Sequence, residues 1–261
     1  MLGTVTWQNE DRCVVGGKVF QTLPLAFEIG RWPASLMEGA DFFLFKERTL
    51  VERYVELAEK LRPQRIFELG IYAGGSTAFL FELAHPRVLV AIDHKPPNGP
   101  ALRNYIASED LDEVIRIHDD VDQADRGRLA AIAAEAFGDE PLDLVIDDCS
   151  HLYEPTRASF NELFPRLRPG GVYVIEDWPW AHPPLEAEDP ERVLYPGQVP
   201  LTRLLFEVML AIPSVPGLIA DVTVFPRSLR VTRGDAKVEP ERFEIAACSN
   251  QKGRRLLAAD G

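Results

Sequence analysis

Phe67-Glu68-Leu69-Gly70-Ile71-Tyr72-Ala73-Gly74-Gly75-Ser76-Thr77 is the stretch on which the fold turns. A short apolar run ends at Leu69, a turn carries Gly70, Gly74 and Gly75, and Ser76 and Thr77 are residue types that cap a following helix. Gly70 suits a tight turn, while Gly74 and Gly75 allow the backbone to come close to a ligand. The spacing Gly70-x-x-x-Gly74-Gly75 departs from the G-x-G-x-x-G of dinucleotide sites. Glu68, an acid just before the turn, suits a cationic amine or sulfonium better than a pyrophosphate.

Outward from that turn the pattern alternates. Arg65–Leu69, Val88–Ile92, Val114–Ile117, Leu142–Ile146 and Val172–Ile175 read as short buried strands. Helices are expected at Ser76–Leu83, near Pro100–Ala107, at Arg126–Phe137 and at Glu154–Leu167, after a first helix from about Phe45 to Leu61. Continuous apolar strands separated by helices of this length define an α/β, Rossmann-like, doubly wound parallel sheet. A helix at Leu201–Ala211 and an antiparallel hairpin, Val222–Phe225 with Ser228–Thr232, would finish the sheet. Three parts are expected: an N-terminal β-containing segment, 1–45, a main domain, 46–233, and a tail, 234–261. The first holds a hairpin at Cys13–Val15 and Val19–Phe20 across Gly16-Gly17, and its apolar residues would serve oligomerisation or a lid. The main domain carries a loop insertion at 181–200, rich in Pro and acid, which reads as a substrate lid.

Composition narrows the partners. The 261 residues carry 28 Lys+Arg against 41 Asp+Glu, a formal charge of −13, which excludes the basic footprint of a nucleic-acid or anionic-membrane binder. No uninterrupted apolar run is long enough to span a bilayer. The first thirty residues do not read as a secretory leader. Three widely spaced cysteines (Cys13, Cys149, Cys248) imply no disulfide framework, and a cytoplasmic location is expected.

Asp93 closes the strand Val88–Ile92, where an acid can accept hydrogen bonds from both hydroxyls of a ribose. His118-Asp119-Asp120 supplies a third acidic strand end. With Leu167-Arg168-Pro169-Gly170-Gly171, these motifs resemble the class I S-adenosylmethionine-dependent methyltransferases over roughly residues 47–233. The resemblance implies a seven-stranded sheet whose last strand is antiparallel. It also implies that Glu68 and the Gly70–Gly75 turn hold the methionine end of S-adenosylmethionine, Asp93 the ribose, and the Asp119–Val121 region the adenine. Gly70, Gly74, Ser76, Asp120 and Asp147 complete the expected cofactor-binding set.

Two further strand ends carry paired acids, Asp147-Asp148 and Glu176-Asp177. If the strands are neighbours about 4.8 Å apart, alternation of faces aims at least one carboxylate of each pair at a shared cleft. Four such carboxylates call for a cation, and oxygen ligands favour Mg²⁺, or Ca²⁺ or Mn²⁺, over zinc. His151, three residues beyond Asp148, is suited to remove a proton near neutral pH. His85, His94, His118 and His182 read as surface or capping residues, and Cys149 has no dedicated base nearby. Trp178 and Trp180 either stack on a sugar or base or pack beneath the following loop.

Asp147-Asp148-x-Ser150-His151 with Glu176-Asp177 resembles the metal-dependent sugar O-methyltransferases of antibiotic pathways, the macrocin and mycinose type. That resemblance implies Asp148, Glu176 and Asp177 as metal ligands, and His151 with Asp148 as the catalytic pair. The acceptor would be a deoxysugar hydroxyl on a nucleotide-linked sugar or a glycosylated natural product, acted on by a homo-oligomer. The second acid pair departs from the Asp-Asp more often found in the family. Alternatives are a cephalosporin-hydroxylase-like enzyme, a methyltransferase of a non-sugar natural product, a non-catalytic cofactor-binding subunit, and a nicotinamide dehydrogenase.

Overall fold

The computed structural model describes residues 2–23, 37–182, 197–251 and 254–255. The chain divides into two units, Met1–Val121 and Asp122–Gly261.

In the first unit, β1 (Thr6–Trp7), β2 (Arg12–Val15), β3 (Lys18–Leu23) and β4 (Phe42–Glu47) form a four-stranded sheet in that order. β2 and β3 are the expected hairpin, with Val15 opposite Lys18 across Gly16-Gly17. β4 takes residues 45–47 away from the expected helix. Phe42, Leu44 and Lys46 alternate inward with the two-residue period of a strand, and α1 begins only at Arg48, running to Leu61. Part of this segment's apolar content packs inside the unit: Phe20 stacks on Phe42 at 5.3 Å and meets Phe79 edge-on at 5.6 Å. Leu25, Phe27, Ile29, Trp32 and Leu36 lie outside the described residues.

The alternating stretch then follows as β5 (Arg65–Leu69), α2 (Gly75–Ala84), β6 (Val88–Ile92), α3 (Ala101–Ser108) and β7 (Ile115–His118). Both pairings, β5 with β6 and β6 with β7, are parallel. Ser76 and Thr77 are not the caps of α2. Gly74 holds that place with φ +81°, and the Thr77 hydroxyl turns back to the Glu68 carboxylate at 2.7 Å. A Cβ on Gly75 would lie 1.8 Å from the Phe43 carbonyl oxygen, and one on Gly74 would lie 2.5 Å from Leu102 Cβ. Packing of the turn against β4 and α3 therefore accounts for both glycines without a ligand.

In the second unit, α4 (Arg126–Phe137) is capped by Asp125, whose Oδ1 accepts from the Arg128 amide at 2.9 Å. β8 (Leu142–Asp147) and α5 (Tyr153–Leu163) follow. α5 stops four residues before the expected end, because Pro165 cannot continue an α-helix; Phe164–Arg166 tighten into a 3₁₀ turn. β9 then runs from Leu167 to Glu176. Pairing steps from Leu142–Leu167 to Leu144–Val172, so Arg168-Pro169-Gly170-Gly171 stand out of register as a bulge within β9. α6 (Thr202–Ser214), β10 (Ile219–Val224) and β11 (Ser228–Arg233) complete the unit, and β11 runs antiparallel to both neighbours. Part of the tail is anchored: Asn161 Nδ2 donates to Glu244, and its Oδ1 accepts from the Ile245 amide at 2.9 Å. Residues 183–196 of the expected lid lie outside the described residues.

The strand order β10-β11-β9-β8-β5-β6-β7 is that of a seven-stranded, doubly wound sheet with one reversed strand. Among the described residues no helix is long and apolar enough to cross a membrane. The three cysteines are free, and burial pushes the Cys13 thiol up to about 11, so it stays protonated at neutral pH.

Gly75→Ala tests the packing of the turn. The methyl would meet backbone rather than a movable side chain, so the better helix propensity of Ala is outweighed. Urea unfolding should show a loss of about 1–3 kcal/mol; an unchanged midpoint would contradict the account.

Candidate cofactor turn and acidic–histidine centre

In the first unit the glycine turn is built around Asp93. Its Oδ2 accepts from the amides of Ile71 at 2.9 Å and Tyr72 at 3.1 Å. Its Oδ1 lies 3.2 Å from the Lys95 amide and 3.2 Å from Nδ1 of the exposed His94. Asp93 therefore braces the turn as well as facing outward, a role that spacing did not reveal. Tyr72 is left-handed at φ +50° and half-exposed, and its carbonyl accepts from the Asn98 amide. Glu68 is buried beneath. Gly70 has φ +98°, and Ser76 is half-buried at the start of α2. Asp119 is paired with Arg103, and Asp120 is exposed in a left-handed conformation at φ +63°. The structure thus gathers Glu68, the turn and Asp93, and sets Asp120 at the end of the neighbouring β7.

In the second unit, ligand atoms of Asp148, His151 and Asp177 all lie within 4.8 Å of one another. His151 Nε2 stands 4.0 Å from Asp148 Oδ1, and the three side chains are partly exposed. Two left-handed residues shape this centre, His151 at φ +57° and Asp177 at φ +50°. The His151 carbonyl accepts from the Trp180 indole at 2.7 Å, and the Trp178 indole donates to the Phe225 carbonyl at 3.0 Å. Both tryptophans therefore use their polar edges internally. Arg227 holds Asp177 Oδ1 through Nε at 3.1 Å and Nη2 at 2.9 Å, and its carbonyl accepts from the Asp177 amide.

Two expected site residues stand apart from this group. Asp147 was expected on the cofactor side, but its carboxylate is 2% exposed and engaged inside the second unit. It accepts from Gln123 Nε2 at 2.7 and 2.9 Å, from Ser159 at 2.8 Å and from the Tyr173 hydroxyl at 2.8 Å. Burial pushes its carboxyl up to about 6, opposed by the hydrogen bonds from Ser159 and Tyr173 and by the nearby His151. Burial, with Asp147 alongside, also raises the Tyr173 phenol well above its ordinary value. Glu176 is buried at the end of β9 and is not one of the three residues gathered at the centre. Gln123 is the residue that sequence reasoning missed: a lone glutamine in a loop carries no motif, and only the fold shows what it touches.

Two half-exposed carboxylates beside an imidazole suit a hard divalent ion that keeps several waters, and among the described residues no cysteine joins the group. A second oxygen remains on Asp177 beyond the one that Arg227 holds. The donor set fits such an ion.

A seven-stranded sheet with one reversed strand, a glycine turn after β5 and an acid after β6 define the class I methyltransferase architecture. Residues 67–178 match the family model described as a methyltransferase domain. It is similar to the demethylmacrocin O-methyltransferase of Streptomyces fradiae, 34% identical over 147 residues, covering 54% of this chain and 33% of that protein. It is likewise similar to the L-olivosyl-oleandolide 3-O-methyltransferase of Streptomyces antibioticus, 47% identical over 130 residues, 44% of this chain and 29% of that one. Among solved structures it resembles the MycE methyltransferase from the mycinamycin biosynthetic pathway, in complex with Mg, SAH and mycinamycin VI. The TM-score is 0.53 at 28% identity, over 70% of this chain and 49% of that chain. The chain thus spans about a third of these curated relatives' length and about half of MycE.

Asp93→Ala would leave two turn amides without their acceptor. It should cost about 1–3 kcal/mol in unfolding free energy and speed hydrogen exchange at Ile71 and Tyr72. Unchanged exchange at both amides would show that Asp93 does not brace the turn.

Proposed function

We propose that this chain is an S-adenosylmethionine-dependent, divalent-metal-dependent O-methyltransferase acting on a sugar hydroxyl of a glycosylated natural product. The observation that carries the proposal is the convergence of Asp148, His151 and Asp177 from two strand ends of a methyltransferase domain. The relatives support the acceptor class, since their names give demethylmacrocin and L-olivosyl-oleandolide as the compounds that are O-methylated. MycE, whose complex contains Mg, SAH and mycinamycin VI, supports the cofactors.

In this reading Glu68, Gly70, Gly74, Ser76, Asp93 and Asp120 hold S-adenosylmethionine. Asp93 would meet the ribose diol with a carboxylate already oriented by the turn, the exposed His94 ring giving way. Asp148 and Asp177 hold the divalent ion, and Glu176 is a further candidate ligand one residue before Asp177. When bound, the cofactor supplies an electrophilic sulfonium methyl, and the ion supplies Lewis acidity that lowers the pKa of an acceptor hydroxyl. His151 receives the hydroxyl proton at Nε2, the nitrogen nearest Asp148. Trp180 fixes the backbone of the base through the His151 carbonyl, and Arg227 fixes Asp177. Orientation of the hydroxyl and its proton acceptor together is the protein's own contribution.

The test is methyl transfer to glycosylated macrolide acceptors, with Mg²⁺ or with EDTA. Chelation should abolish turnover and Mg²⁺ should restore it. His151→Ala should lower kcat by about 10²–10⁴-fold with Mg²⁺ binding retained. Turnover unchanged by EDTA and by the His151 substitution would overturn the metal-and-base mechanism.

A further inference from the structure

Gln123 is 3% exposed, and every polar valence of its amide is used within the second unit. Nε2 donates to both oxygens of Asp147, at 2.7 and 2.9 Å, and lies 3.1 Å from Ser159 Oγ. Oε1 accepts from the Ser150 amide at 3.2 Å and from its hydroxyl at 2.6 Å. The Ser150 hydroxyl oxygen in turn accepts from the Leu152 amide at 3.3 Å. The carboxylate and the backbone N–H fix which way round the amide lies, since the flipped amide would set NH₂ against an N–H donor. One side chain thus ties the last residue of β8 to the middle of the turn that carries Asp148 and His151.

That turn needs such a tie. Three residues separate Asp147 from His151, and the chain reverses through a left-handed histidine, a conformation that carries a cost and persists only where surrounding contacts impose it. Among the contacts that impose it are Gln123 on Ser150 and Trp180 on the His151 carbonyl. Asp147 supplies the fixed point, because Ser159 and Tyr173 hold its carboxylate from α5 and β9.

We infer that Gln123 is a positioning residue: by coupling the buried Asp147 to Ser150 it holds the 148–151 turn in the conformation that brings Asp148 and His151 together with Asp177. The inference rests on the proposed reading of Asp148 and Asp177 as metal ligands. It assigns a role to a residue outside that ligand set and outside every motif in the sequence.

Mn²⁺ titration followed by electron paramagnetic resonance tests it on the full chain, alongside amide exchange at residues 149–152 and thermal unfolding. Gln123→Leu, similar in volume and unable to hydrogen-bond, should weaken Mn²⁺ binding about 10- to 100-fold, the range typical of lost outer-shell partners. Exchange at the Ser150 amide should rise while a cooperative melt is kept. Ser150→Ala, which leaves the Gln123–Asp147 bonds intact, should weaken Mn²⁺ binding in the same direction and decides the matter if Gln123→Leu does not fold. Wild-type Mn²⁺ affinity and wild-type Ser150 exchange in the folded variants would overturn the inference. Absence of Mn²⁺ binding by the wild-type protein would instead overturn the metal reading. Exchange at Ser150 would then decide alone, faster exchange in the variants supporting the tie and unchanged exchange overturning it.

Discussion

All six residues of β8 and the last five of β9 are buried, as are the last four of β5 and of β6. A strand covered on both faces cannot present a solvated polar group along its length, so its chemistry is displaced to where the strand ends. Asp93 follows β6, Asp119 and Asp120 follow β7, and the acid pairs close β8 and β9. There the chain must turn sharply, and Tyr72, Asp120, His151 and Asp177 are all left-handed. Asp and His tolerate that conformation better than most side chains; Tyr72 is the costlier case. Three of the four are held by their surroundings: the Tyr72 amide by Asp93, the Asp177 amide by the Arg227 carbonyl, the His151 carbonyl by Trp180.

Within each acid pair the two carboxylates part company. Asp147 and Glu176 are buried, whereas Asp148 and Asp177 stand half-exposed and converge with His151. Register alone does not give this result. Asp147 lies opposite Ile175, so one step further Asp148 stands level with Glu176 rather than with Asp177. The left-handed turn at Asp177 and the two bonds from Arg227 carry the second acid into the centre instead. The inward acid of the β8 pair is an internal anchor, and its neighbour Asp148 stays half-exposed. In the β8 pair the anchor is explicit: four oxygen–donor contacts gather on Asp147, enough to keep a carboxylate where its desolvation is unfavourable.

The strands of the alternating stretch were legible because an apolar run bounded by turn residues has one economical fate in a parallel sheet. Arg65–Leu69 and Val88–Ile92 fall where the pattern puts them, and Arg126–Phe137 is helical from end to end. β4 was not legible, since Phe-Phe-Leu-Phe satisfies a helix and a strand equally over so short a run, and its parallel partner β3 is some twenty residues away. The α5–β9 junction was misjudged because Pro165 and the Gly170-Gly171 bulge act through hydrogen-bond geometry, which hydrophobic period does not report. Asp148, His151 and Asp177 could be picked out as acids and a histidine at strand ends. The inward turning of Asp147 and the tie through Gln123 could not, because both depend on which side chains face one another across the fold.

The glycine turn is set by its own contacts, with no ligand needed to order it. Asp93 Oδ2 is already committed to the Ile71 and Tyr72 amides, and Gly74 and Gly75 are seated against Leu102 and the Phe43 carbonyl. Thr77 occupies one oxygen of the buried Glu68. Ordering a loop on binding costs conformational entropy for every residue fixed, and a turn braced by its own acid has met that cost in folding. The same brace limits what Asp93 offers a ribose: its Oδ1, now shared with the Lys95 amide and the His94 ring, is the oxygen left to bargain with. Of those two, only the His94 ring is an exposed side chain, so a diol bound at Asp93 as proposed would displace an imidazole and leave the turn as it stands.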